Sequence, residues 1–143
     1  MGQKISIIIP AFNMERFIKE AVLSVITQKD ISLNDIEIIV INDGSNDNTE
    51  RIVRELIKKH GDFIKCISFE TNAGVLTATV EGLANARGEY ICLLDADDIW
   101  HSNKLSEVVS CFADGYDLVF HEGEFIDASG NFLNKPVKCM IDD

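Results

Sequence analysis

Basic residues, long apolar runs and paired cysteines are all scarce in this 143-residue chain, and each shortage removes a class of function. Thirteen Lys+Arg against twenty-four Asp+Glu leave a formal charge of −11 and a pI near 4.6. A surface this negative repels phosphate backbones, which argues against a general nucleic-acid or anionic-membrane binder. Any anionic ligand then needs a local device to overcome the field: a cation, a helix N-terminus or a metal. The apolar runs reach four or five residues, as in Ile7-Ile8-Ile9-Pro10, far short of the ~20 that span a bilayer. No transmembrane segment is expected. Residues 1–4 lead straight into a strand-like run with no apolar stretch of the signal-peptide kind. Cys66, Cys92, Cys111 and Cys139 stand far apart with no CxxC pair, and read as buried reduced thiols of a cytoplasmic protein.

What is present alternates. At 143 residues the chain suits one domain, long enough to fold without disulfides or structural metal. Residues 4–9 and 36–41 read as buried strands, and 63–69 and 90–94 as two more. Between and after them, residues 14–28, 49–60, 74–86 and about 103–112 carry apolar side chains at helical spacing. Asn13 is the expected N-cap of the first helix and Gly61 the stop of the second. A short strand is expected at 118–121, then a hairpin turning at 127–131 between residues 124–126 and 132–133. Residues 134–143 have no period and read as a loose tail. Alternation with strands apolar on both faces predicts an α/β fold, a doubly wound and mainly parallel sheet, over residues 1–133.

Ligands of such sheets bind at the carboxyl ends of the strands, where strand order reverses. The four segments at that rim are Pro10-Ala11-Phe12-Asn13 with Glu15, then Asn42-Asp43-Gly44-Ser45-Asn46-Asp47, then Glu70-Thr71-Asn72-Ala73-Gly74, and Asp95-Ala96-Asp97-Asp98. Asp, Asn, Ser and Gly are also ordinary turn and capping residues, and Asp47-Asn48-Thr49 and Asn72 read that way. Three carboxylates in four residues are different: they repel one another unless a cation sits among them. A hard divalent ion, Mg²⁺ or Mn²⁺, between Asp97 and the oxygens of a diphosphate would neutralise both. Asp43, at a strand end before a glycine, suits hydrogen bonds from a base or ribose edge. Trp100 reads as a packing anchor, and the acids Glu122, Glu124 and Asp127 as a solvated hairpin.

Three ordered stretches carry a resemblance. Ile7-Ile8-Ile9-Pro10-Ala11-Phe12-Asn13, Ile39 through Asn42-Asp43-Gly44-Ser45-Asn46-Asp47-Asn48-Thr49, and Arg87-Gly88-Glu89-Tyr90-Ile91 running into Leu94-Asp95-Ala96-Asp97-Asp98 closely resemble the glycosyltransferase family 2 proteins with the GT-A fold. The match covers residue 4 to about 133. It implies a nucleotide-diphospho-sugar donor, usually UDP-linked, bound with a divalent cation and passed to a hydroxyl of a glycan or lipid-linked acceptor. By position, Pro10, Ala11, Phe12, Asn13 and Glu15 would line the nucleoside pocket and Asp43 would contact the base. Gly74 and Val75 would shape the loop beside the nucleotide. Asp95-Ala96-Asp97 would form the DxD element, with Asp95 toward the ribose and Asp97 on the metal. The family often has Arg-Asn where this chain has Thr79-Val80, and a basic contact is expected to be missing there. Asn42 replaces the first acid of the usual Asp-Asp-Gly-Ser. The acid that deprotonates the acceptor is expected beyond Asp143, so these residues look like the donor-binding half, with the inner face of a membrane reached only through other regions. Two alternatives compete: a non-catalytic nucleotide-sugar-binding module, and a phosphorylatable receiver domain. The receiver needs paired acids after the first strand, where Pro10-Ala11-Phe12-Asn13 stand.

Overall fold

Strands covered on both faces must be apolar on both, and β2 (Ile36–Asn42) is buried at all seven positions. β1 (Ile5–Ala11) is buried everywhere except Pro10. With β3 (Ile64–Ser68) and β4 (Tyr90–Leu93) they form a parallel sheet in the order β3-β2-β1-β4. Strand order therefore reverses between β1 and β4, which opens the crevice of a doubly wound sheet. The connecting helices are α1 (Ile18–Ile26), α2 (Thr49–His60) and α3 (Val75–Asn85). α3 lies close on β1: a Cβ at Gly82 would overlap Ile8. α4 (Lys104–Ala113) and an antiparallel hairpin of β5 (Glu124–Ile126) and β6 (Phe132–Pro136) complete the chain.

The computed structural model describes residues 5–121, 123–127 and 129–136. Two compact units divide it, residues 1–107 with the parallel sheet and residues 108–143 with the hairpin. Among the described residues no helix is long and apolar enough to cross a membrane. Glu122, Cys139 and residues 137–143 of the expected tail lie outside them.

Five local expectations differ from the structure. Residues 118–121 form no strand; the segment lacks any sheet partner to pair its backbone. α1 begins at Ile18, not at residue 14, because the amides just before it are held by side chains of the next loop. Asn13 is accordingly no N-cap: it adopts φ 55° and its Oδ1 accepts from the Asn46 amide. β6 also runs three residues past Leu133. Cys66, Cys92 and Cys111 are free but half-buried rather than buried. Burial pushes the Cys66 and Cys92 thiols up, the latter to about 11, so both stay protonated at neutral pH.

At the rim away from the crevice, Glu37 is fully buried and tied three ways. It accepts from Ser6 Oγ (2.7 Å), the Arg87 amide (2.6 Å) and Lys65 Nζ (2.7 Å). Burial alone would push its carboxyl up, but those hydrogen bonds together outweigh it and hold it below its ordinary 4.5. A depressed folded pKa contributes stability that is complete above 4.5 and is lost as pH falls through the lower, folded value. Glu37→Gln removes that contribution. The gap in melting temperature between wild type and variant is therefore expected to narrow on acidification from neutral pH, in a thermal-melt series; a gap independent of pH contradicts the assignment.

Candidate functional site

At the crevice, the loops after all four parallel strands meet around a cavity of about 290 Å³, at the lower end of the ~300–1,000 Å³ usual for small-molecule sites. Pro10, Ala11, Phe12 and Met14 line it from the first loop and Asp43 from the second. Asn72, Gly74, Val75 and Ala78 line it from the third loop and α3, and Asp95, Ala96 and Asp97 from the fourth. Nine of the eleven residues expected at the site thus share one hollow. Asn13 and Glu15 do not. Among the lining residues there is no lysine, arginine or histidine.

Asn13 and Glu15 instead bind the neighbouring loop to their own. The amides of Asn13, Met14 and Glu15 donate in turn to Ser45 Oγ (3.0 Å), Thr49 Oγ1 (2.8 Å) and Asp47 Oδ2 (2.9 Å). In return, the Asn48 amide and its side-chain Nδ2 donate to Glu15 Oε2 at 3.0 and 2.8 Å. Burial would raise the Asp47 carboxyl, but hydrogen bonds from the Thr49 hydroxyl and from the Glu15 and Thr49 amides hold it below its ordinary range.

Asp43 is 2% exposed. Its two carboxylate oxygens accept from the Ala73 amide (2.7 Å) and the Gly74 amide (2.9 Å), at the N-terminus of α3. Beside it, Gly44 has φ 68°, and a Cβ there would stand 2.5 Å from Thr71 C and 2.6 Å from Asn72 N. The second and third loops are thus joined twice, by a carboxylate clamp and by backbone contact. Asn42, in the position of the missing acid, is buried, and its amide group donates to Glu50 Oε2 and Ser68 Oγ.

Asp95 and Asp97 both line the same hollow, on either side of buried Ala96. Among the described residues no group of three His, Cys, Asp or Glu side chains could hold a metal ion. Two hard oxygen donors at an open cavity suit a divalent ion whose other ligands are water and phosphate, the way Mg²⁺ is usually held. Trp100 is buried, and its amide donates to Ser24 Oγ (3.1 Å), as a packing anchor should.

Met14, Asn72 and Ala78 also line the cavity and were not among the eleven residues expected there. Ala78 lies one turn beyond Val75, so helical spacing carried the signal. Asn72 was legible only as a turn residue. Met14 had no signal beyond its neighbours.

The family model described as glycosyl transferase family 2 matches residues 6–138. An uncharacterized glycosyltransferase of Nostoc sp. (strain PCC 7120) is 36% identical over 133 residues, covering 92% of this chain and 40% of that protein. Among solved structures, S. aureus TarS 1–349 in complex with UDP-GlcNAc superposes with a TM-score of 0.71 at 28% identity, over 78% of this chain and 31% of that one. The mannosyltransferase PcManGT of Pyrobaculum calidifontis, in complex with GDP-Man and Mn²⁺, gives 0.73 at 26% identity, over 78% and 33%. The chain spans two fifths or less of the length of each of these relatives.

Proposed function

The chain belongs to glycosyl transferase family 2, and on that premise we propose that its cavity holds a nucleotide-diphospho-sugar, UDP-linked, together with one Mg²⁺ or Mn²⁺ at Asp97 and Asp95. In this reading residues 1–133 are the donor-binding portion of an enzyme that transfers the sugar to a hydroxyl of a glycan or lipid-linked acceptor. The observation that carries it is the pair of aspartates, Asp95 and Asp97, lining a hollow that has no lysine, arginine or histidine in its lining. A diphosphate entering a chain of charge −11 has three possible partners. Lysine and arginine are absent from the lining. The Ala73 and Gly74 amides just before α3 are already taken by Asp43, and those of Asn48 and Thr49 at the start of α2 by Glu15 and Asp47, which leaves only neutral first-turn amides on the protein side. Neutral amides do not offset two carboxylates and a diphosphate together; a metal does.

Each residue then has a task. Pro10, Ala11, Phe12 and Met14 form an apolar wall for the nucleoside, with Gly74, Val75 and Ala78 opposite. Asp43 has a lone pair left on each oxygen to meet a base N–H while it fixes the Asn72–Gly74 corner. Asp95, with Ala96 behind it, faces the ribose and the metal; Asp97 faces the metal. The ion would supply charge stabilisation for the departing diphosphate. No residue of this chain is assigned as the acceptor's base. Free thiols fit a cytoplasmic setting. The missing cation at Thr79-Val80 favours one second reading, a module that holds the donor without turning it over.

Saturation-transfer NMR with UDP-GlcNAc and with GDP-mannose, in Mn²⁺, tests the reading. Saturation of the base and ribose protons is expected for at least one, displaced by excess UDP. No transfer to either overturns the reading, and release of UDP from UDP-GlcNAc by the chain excludes the non-catalytic module.

A further inference from the structure

We propose that Asp47, which lies outside the cavity, is a positioning residue that sets the Phe12–Met14 wall against which the nucleoside rests. The inference rests on the donor reading of that cavity. Its basis is the consecutive amides of Asn13, Met14 and Glu15, each held by a side chain of the second loop or of the first residue of α2. Asp47 is the charged acceptor among the three, and hydrogen bonds to charged groups are the stronger kind.

Its reach is larger than its one bond to this turn. Asp47 Oδ1 accepts from both the amide and the hydroxyl of Thr49, at 2.9 and 2.5 Å. A threonine hydroxyl has one hydrogen. With that hydrogen committed to Asp47, Thr49 Oγ1 presents a lone pair to the Met14 amide at 2.8 Å. Asp47 thus governs two of the three amides, Glu15 directly and Met14 through Thr49, which is fully buried. These bonds offset the left-handed backbone of Asn13 (φ 55°) between Phe12 and Met14, two residues that line the cavity. If the turn relaxes, both side chains leave their places.

Asparagine at position 47 cannot serve both sides. Its NH₂ must face either the Glu15 N–H or the Thr49 donors, and donor meets donor. The test compares wild type, Asp47→Asn and Ile36→Val, the last a buried change at the opposite end of β2 that lowers stability without touching the site. Uridine and UDP are titrated, with and without Mn²⁺, and amide hydrogen exchange is followed by NMR. For Asp47→Asn the expected loss is about tenfold for uridine and for UDP alike, the size seen when outer partners that orient a ligand group are removed. The ratio of UDP affinities with and without Mn²⁺ stays unchanged. Exchange quickens at Met14 and Glu15 and not at Ala73 and Gly74. Unchanged uridine affinity, or a loss matched by Ile36→Val at equal melting temperature, overturns the proposal. Should wild type bind no uridine, the donor reading falls, and the exchange at Met14 and Glu15 decides separately whether Asp47 holds the turn.

Discussion

Gly44→Ala is expected to cost roughly 2–5 kcal/mol of folding stability, a large share of the ~5–15 kcal/mol that holds a domain together. Two terms add. A φ of 68° is open to glycine and costs an L-residue about 1–2 kcal/mol. The new methyl would then sit 2.5 Å from Thr71 C and 2.6 Å from Asn72 N, and overpacking of this kind costs about 1–3 kcal/mol. The obstacle is backbone, so no side chain can rotate away. The loop carrying Thr71 and Asn72 must move, and that same loop receives the Asp43 clamp at Ala73 and Gly74. Urea denaturation is expected to show a lower midpoint, and UDP affinity to fall even where the protein remains folded. An unchanged midpoint would mean the two loops do not touch as described.

Asp97→Ala is expected to abolish the effect of Mn²⁺ on UDP affinity while leaving stability within about 0.5 kcal/mol, since Asp97 is an exposed loop side chain. Losing half of a two-carboxylate site should remove most of the metal's contribution, several kcal/mol or on the order of 100-fold in affinity. The remaining affinity should equal that of wild type in chelator, because the apolar wall and Asp43 are untouched. A variant that still responds fully to Mn²⁺ would place the ion elsewhere.

Much of this was legible in the sequence, for identifiable reasons. The unbroken apolar runs of Ile7-Ile8-Ile9 and Ile38-Ile39-Val40-Ile41 announce strands buried on both faces, and the sheet has them at its centre. α2 runs Thr49–His60 as its spacing predicts, with Gly61 behind it. Asp95 and Asp97 stood out because like charges so close in sequence need a reason, and both line the cavity. Asn13 and Glu15 were legible as rim residues but not as ties between loops. Their partners, Ser45 to Thr49, are some 32–35 positions away, a distance that no local pattern spans. The same holds for Asp43, whose hydrogen bonds reach 30 and 31 residues along the chain. The strand expected at 118–121 failed because an apolar alternation is only half of a strand; the other half is a neighbour to pair with.

The central claim is that this hollow, lined by Asp95 and Asp97 and by no lysine, arginine or histidine, grips a diphosphate only through a cation. Calorimetric titration of the wild-type chain with UDP, first in excess Mn²⁺ and then in EDTA, tests it most directly. Strong binding in Mn²⁺ that collapses in EDTA is the predicted result, and equal affinity in the two conditions would contradict it.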